Sequence, residues 1–515
     1  MRQNHRALRR RCCQHVRPNP MLPPHRSVCC GVRHLRLVRE PPQPAPNRSR
    51  YAVLWNSPWP SECKMHEGGS GGPIDWAAHS VAVNDEAAFN GEVVVDLYRT
   101  GLFPRFLGNG TAVNGGVPQS TDFSLSLHLA ALTEIINEDV PSVGFRGVGV
   151  LDFEDWYAQW EWHGPPHLPL SDHYWNASIE LAATADPSLK GKALVAAAKE
   201  AWLKAAQDVM IASIEHAKQM RPQGLWGYYS RILPPDDCVV TSAAIGATEN
   251  PCSAANDDLP RLWESVDAIM PSIYLARNDT AVSTGGVDSY VGEATRLALA
   301  AGKRRKDGIA PLVIPFVCTT YGNWIDSAGV DHKYTQWVDA ADAALELARP
   351  AEWGGAGIVV WGGSIDTTNA KRCAEGRAAF DTALAPVLKA VAAKTSACAA
   401  ARCSGHGRCA TLPEVACLCD AGWSGTSCQT ARTSSVKTDD ASAGEVVVSY
   451  SPVPQRIQHD KKASPFLLDY NAYITVDTTN SSHLFAANDL QAQNRQKALG
   501  FMDTDWDGGP HLLSS

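Results

Sequence analysis

Residues 147–160 read GVGVLDFEDWYAQW: small and apolar positions lead into Asp152, Phe153 and Glu154, and aromatics follow. Two carboxyl groups this close can share a proton. One of them then stays protonated at a pH where a lone carboxyl has ionised, which is what general acid catalysis requires. The same residues also suit the acidic first turn of a helix, where negative charge meets the positive end of the helix dipole. The elements around the pair decide between the two readings.

Apolar runs recur at 51–56 (YAVLWN), 92–98 (EVVVDLY), 147–153, 224–229 (GLWGYY), 268–275 (AIMPSIYL), 311–317 (PLVIPFV) and 355–363 (GAGIVVWGG). Short and apolar at consecutive positions, they read as parallel strands covered on both faces. Helices are expected between them. One has Leu125, Leu129, Leu132 and Ile136 on a single face with Ser120 or Thr121 as its cap, and others fit 188–220, 287–302, 333–348 and 376–394. This alternation predicts an α/β fold, a distorted (β/α) TIM-like barrel of about seven strands. No Gly-rich phosphate turn follows the first strand, which disfavours a doubly wound nucleotide-binding sheet.

Barrels carry their chemistry at the C-terminal strand ends. That places Asp152 and Glu154 after the third strand, Tyr229 after the fourth, Tyr274 after the fifth, Tyr321 near the sixth and Trp361 at the seventh. Carboxyls ringed by aromatics point to a carbohydrate site: sugar faces stack on the rings while an acid protonates the leaving oxygen.

Composition narrows the class. The 515 residues are 44% hydrophobic, enough for a large core, and no apolar run suggests a membrane span. The net charge of −8 is uneven: residues 1–50 hold twelve Arg and one Glu, leaving 34 basic against 53 acidic residues beyond them. An acidic body of this kind argues against nucleic acid as a partner. Residues 1–50 read as a basic, Pro-rich, disordered leader without the apolar core of a signal peptide. The pairs Cys12–Cys13 and Cys29–Cys30 lack zinc-ligand spacing, and no metal is expected. Sequons stand at Asn47, Asn109, Asn176, Asn278 and Asn480, and residues 431–515 are polar without a clear period.

Residues 398–428, CAAARCSGHGRCATLPEVACLCDAGWSGTSC, pack six cysteines into one short segment around a GWSG turn. The segment, taken as 396–430, resembles an EGF-like domain, and that resemblance implies the pairs Cys398–Cys409, Cys403–Cys417 and Cys419–Cys428. So small a unit depends on its disulfides and hence on an oxidising compartment, a secreted or lysosome-like lumen.

Over residues 51–430 the chain resembles the animal-type hyaluronidase family. VLWNSPWPSEC, NGGVPQ at 114–119, LDFEDWYAQW at 151–160, RPQGLWGYY at 221–229, MPSIY at 270–274, GIVVWGG at 357–363 and CSGHGRC at 403–409 occur in the family's order. The resemblance implies a hyaluronidase-like barrel over 51–395 that hydrolyses β-linked N-acetylhexosaminides with retention, acting as a monomer on a polysaccharide without metal or organic cofactor. It makes Glu154 the general acid, with Asp152 sharing its proton. It places Tyr274 and Tyr229 on the sugar bearing the acetamido group, Trp361 as a wall of the acetyl pocket, and Tyr321 among the substrate contacts. It also pairs Cys63 with Cys373 and Cys238 with Cys252, and leaves Cys318 as a buried free thiol.

Three departures bear on the substrate. Tyr157 stands where the family carries Arg, Gly322 follows Tyr321 where the family carries Asp, and RILPPDDC (231–238) lengthens the loop after Tyr229. Alternatives are a chitinase-like hydrolase, which would want further Asp at Gly149 and Val150, and a glycan-binding protein that has lost catalysis.

Overall fold

The computed structural model describes residues 51–66, 73–163, 169–233, 251–275, 286–303, 310–322, 324–325, 331–332, 334–420 and 423–431. The leader over 1–50, the tail beyond 431 and the Cys238–Cys252 pairing lie outside the described residues.

Nine short strands form the barrel wall: β1 Ala52–Asn56, β2 Val81–Val83, β3 Val94–Leu97, β4 Val148–Leu151, β5 Leu225–Tyr229, β6 Ala268–Met270, β7 Leu312–Val313, β8 Phe316–Cys318 and β9 Gly357–Trp361. All ladders are parallel, in two arcs ordered β3-β4-β5-β6-β7 and β8-β9-β1-β2. Register aligns Leu97 with Leu151, Leu151 with Tyr228, Tyr229 with Met270, and Trp361 with Asn56.

Two devices join the arcs. The run 311–317, expected as one strand, is broken by Pro315, which has no N–H to give a ladder. Its first half bonds to β6 through Ile314 N to Ile269 O (3.0 Å). Its second bonds to β9, with Val359 N donating to Pro315 O (2.9 Å). At the other seam the Asn84 side chain does the work of a ladder. Its Oδ1 accepts from Val93 N (2.9 Å) and Val94 N (3.1 Å), and its Nδ2 donates to Val94 O (3.0 Å).

Alternation along the strands divides the core. Leu54, Val94, Val148, Val150, Met270, Phe316 and Val359 pack together inside the barrel, while residues of opposite parity such as Leu97, Leu151, Tyr228 and Ile358 pack under helices. Gly149 is outward, and a Cβ there would stand 2.4 Å from the Trp226 ring, so the position is closed to a side chain.

The helices are α1 Leu125–Asp139, α2 Pro169–Ala185, α3 Gly191–Met220, α4 Pro260–Ser265, α5 Gly286–Gly302, α6 Ala340–Glu352, α7 Ala370–Ala379 and α8 Ala385–Arg402. Their starts correct two expectations. The cap of α1 is Ser124, whose side chain accepts from Leu127 N, while Ser120 Oγ instead accepts from Asp122 N in the preceding turn. Leu125 therefore sits in the first turn and is 39% exposed, and the buried face is His128, Leu132, Ile135 and Ile136. Helix α6 starts at Ala340 rather than near 333, because Asp339 caps it through Ala341 N and Asp342 N. The strand Val81–Val83 and helices α2 and α4 were not anticipated.

Helices α7 and α8 join through one π-helical turn, Phe380–Leu384, into a continuous stretch Ala370–Arg402 that passes a length-and-hydropathy criterion for a membrane span. Phe380, Leu384, Leu388 and Val391 from this stretch are buried in one cluster with Trp55 and Trp59 of the barrel. Disulfides join its start to the first loop, Cys63–Cys373 (Cα–Cα 5.7 Å), and its end to the following segment, Cys398–Cys409. In that segment β10 Gly407–Ala410 and β11 Ala416–Cys419 pair antiparallel, Cys403–Cys417 and Cys419–Cys428 complete the staples, and Thr411 N bonds back to Glu352 O of α6 (2.7 Å). Cys318 is free and buried.

Candidate active site

Strand β4 delivers the carboxyl pair. Asp152 remains in the ladder through its N–H to Leu97 O (3.2 Å), and the next residues leave the sheet as an extended segment with no helix. The first-turn reading of LDFED is thereby overturned. Two aromatic anchors and an amide fix this segment: Phe153 stacks on Phe103 (4.1 Å between centroids), Trp156 Nε1 donates to Pro104 O (2.8 Å), and Gln159 Nε2 donates to Ile232 O (2.8 Å).

Asp152 and Glu154 are coupled neighbours, and burial comes first among the causes that raise the proton affinity of both. The two groups titrate as a pair and hold a proton in common. Asp152 is 8% exposed, whereas the Glu154 side chain is 25% exposed and is the one a substrate can reach.

Beyond the residues that the sequence singled out, three side chains complete the charge pattern. Asp96 on β3, 2% exposed, is a third carboxyl, pushed up to about 8 by burial and then by the charge of Glu154. Tyr98, two residues on, accepts from Trp361 Nε1 (2.8 Å). Arg231, just after β5, brings the cation: Nη2 lies 3.8 Å from Glu154 Oε2, its guanidinium stacks 4.5 Å over the Tyr157 ring, and Nη1 donates to the Tyr157 hydroxyl. Position 157, where an Arg was expected and missed, holds an Arg from the neighbouring strand in place.

The aromatics form a continuous lining. Tyr229 (7% exposed) is 6.1 Å from Tyr274, which stacks on Trp361 at 5.6 Å, and Tyr334 meets Trp361 edge-on at 6.0 Å. Burial comes first in raising the Tyr229 and Tyr274 phenols far above their usual range, so both act as neutral hydrogen-bonding groups.

Tyr321 is not brought to this lining. It is 1% exposed among the outer residues under the helices, and its hydroxyl donates to Asp342 Oδ2 of α6 (2.6 Å). The inward positions of this strand are Phe316 and Cys318, so Tyr321 falls on the opposite parity. Tyr334 occupies the space instead: a Cβ at Gly322 would stand 4.0 Å from its hydroxyl. Among the described residues no group of His, Cys, Asp and Glu has metal-binding geometry.

The arrangement is a carboxyl pair with one more exposed member, a flanking cation and a row of aromatic rings at the C-terminal strand ends of a parallel barrel. It can donate a proton to a glycosidic oxygen and take one back from water. Residues 40–418 match the hyaluronidase family of glycoside hydrolases. The chain is 30% identical over 372 residues to hyaluronidase-1 of Sus scrofa, covering 70% of this chain and 79% of that protein. It is 29% identical over 368 residues to hyaluronidase-2 of Mus musculus, covering 70% and 72%. Bee venom hyaluronidase superimposes with a TM-score of 0.55 at 26% identity, covering 66% of this chain and 99% of that one. A structure of that enzyme in complex with a hyaluronic acid tetramer gives the same TM-score at 27% identity. The barrel, the acid pair at its mouth and these matches agree: the chain belongs to the hyaluronidase family and is a glycoside hydrolase.

Proposed function

We propose that the protein is a retaining, substrate-assisted endo-β-N-acetylhexosaminidase that cleaves hyaluronan or a closely related glycosaminoglycan. The observation that carries this reading is the coupled Asp152–Glu154 pair, with Asp152 buried and Glu154 the more exposed member. Glu154 gives its proton to the glycosidic oxygen as the C1–O bond breaks, and the substrate's acetamido carbonyl oxygen bonds to C1 from the opposite face. Water then attacks C1, its proton passes to the Glu154 carboxylate, and the acetamido group is released. Two successive inversions leave the product in the starting configuration, and no protein nucleophile is needed. Tyr274 and Tyr229 hold the acetamido group, and Trp361 walls its methyl.

Arg231 supports an anionic polymer as substrate, because it restores a cation at a site where Tyr157 had removed one. The closed position at Gly149 speaks against a chitinase-type acid run. The disulfides, in a segment we read as an EGF-like module, support a secreted or lysosomal location. Gly322, which leaves a carboxyl out of the site, favours the second reading, a glycan-binding protein with impaired catalysis.

The test is purified full-length protein on hyaluronan, chondroitin and chitin oligomers, beside Glu154→Gln. The expected result is cleavage of hyaluronan or chondroitin, lost on the order of 10³-fold or more in Glu154→Gln. Wild-type rates in Glu154→Gln refute the mechanism; binding without cleavage of any polymer moves the protein to the second reading.

A further inference from the structure

Asp96 is an anomaly on physical grounds. It stands in an apolar strand, opposite Val150 in the parallel register and so diagonal to Asp152. A buried carboxylate is costly unless it is paired or neutralised. Here Oδ1 has no hydrogen-bond partner among the described residues. The backbone cannot swing the group away, because the Asn90 side chain holds both Asp96 N (2.8 Å) and Asp96 O (3.1 Å).

The groups around it are named easily. Tyr98 faces it from the end of its own strand, and Asp152 and Glu154 from β4; Arg231 and Tyr229, from β5, engage that pair. The pair shares the Arg231 guanidinium, and Asp96 adds a third carboxyl beside it. Like charges at this range cannot all form, so the protons of the cluster are held in common.

We infer that Asp96 is a positioning residue of the catalytic centre, a third acid that shares protons with the Asp152–Glu154 pair and sets the alkaline limit of activity. The inference rests on Glu154 being the acid of the proposed mechanism. When Asp96 ionises, its charge falls on the pair's last proton from the neighbouring strand. Its charge then makes that last proton harder to remove, which extends the pH range in which Glu154 can donate.

The test compares pH profiles of kcat and kcat/KM for the full-length enzyme with those of Asp96→Asn and Asp96→Leu. Both variants are expected to fold, since each is neutral and of similar volume. The alkaline limb moves to lower pH by about one unit in both, while the acid limb stays. A uniform loss of rate with no movement of the limb overturns the inference and leaves Asp96 a structural residue. Infrared titration of protonated carboxyl groups in the same proteins reads the cluster without turnover. Wild type should show protonated carboxyls beyond neutrality, and Asp96→Asn should lose one component of that signal and shift the titration of the rest to lower pH; a carboxyl titration unchanged in Asp96→Asn also overturns the inference. If instead Glu154→Gln cleaves at wild-type rates, the mechanism fails while the infrared result still stands or falls by itself.

Discussion

Replacing Arg231 by Met separates the electrostatic role of the guanidinium from its packing, because Met keeps the aliphatic stem against Tyr157. Two unit charges 3.8 Å apart interact by about 4 kcal/mol at an effective dielectric near 20 and about 1 kcal/mol in bulk water. The Arg231 and Glu154 side chains are 13% and 25% exposed, so the pair lies between those limits; about 1.5 kcal/mol, or about one pH unit, is a fair value. The sign is fixed: the cation favours ionised Glu154, and it acts in the same direction on Asp152 and Asp155. Removing it raises the proton affinity of Glu154. In Arg231→Met the alkaline limb of the pH–kcat/KM profile should therefore move upward by about one unit, measured by reducing-end release over roughly pH 3 to 9. A limb that stays in place while kcat falls would show that Arg231 acts on the substrate rather than on Glu154. A limb that moves downward would refute the electrostatic reasoning altogether.

The remaining predictions concern the frame. Burial raises Asp96 to about 8 and Asp366 to about 6, and it pushes Glu346 well above the carboxylate range. The folded state therefore binds more protons than the unfolded chain, and stability present at about pH 4 is lost as pH rises through 6 and 8. Thermal unfolding should show a Tm some degrees lower at pH 8 than at pH 5, and a flat or rising Tm across that range would contradict the assignment. Replacing Cys63 and Cys373 together by Ala releases a crosslink spanning 310 residues and should cost on the order of 2–5 kcal/mol in denaturant unfolding. An unchanged midpoint would mean that the α7–α8 packing on Trp55 and Trp59 suffices to hold the ends of the barrel together.

Much of the barrel was legible because its strands are buried on both faces and so appear as uninterrupted apolar runs. What escaped was short or was held by side chains. Val81–Val83 is three residues long, and the neighbouring seam depends on Asn84, which no hydrophobic pattern records. Within the site, parity along a strand was the informative signal, and it was only partly used. Val94, Asp96 and Tyr98 share the inward parity of Val148, Val150 and Asp152, so a charged residue in EVVVDLY already marked the third carboxyl. Tyr321, by contrast, lies an odd number of residues beyond the inward Cys318 and turns toward α6. Arg231 was not readable at all. It lies after the end of β5, and only the fold brings it beside Tyr157, 74 residues away in the chain.

The Asn84 seam carries a further consequence. A closed cylinder offers no free strand edge for another chain to pair with, which is how barrels escape edge-to-edge aggregation. Here that protection is delegated, between β2 and β3, to one amide that both donates and accepts. An acid or an aliphatic group at position 84 cannot do both. Its substitution would lay open two apolar edges, VAV and VVDL, turning a fault in closure into a fault in solubility.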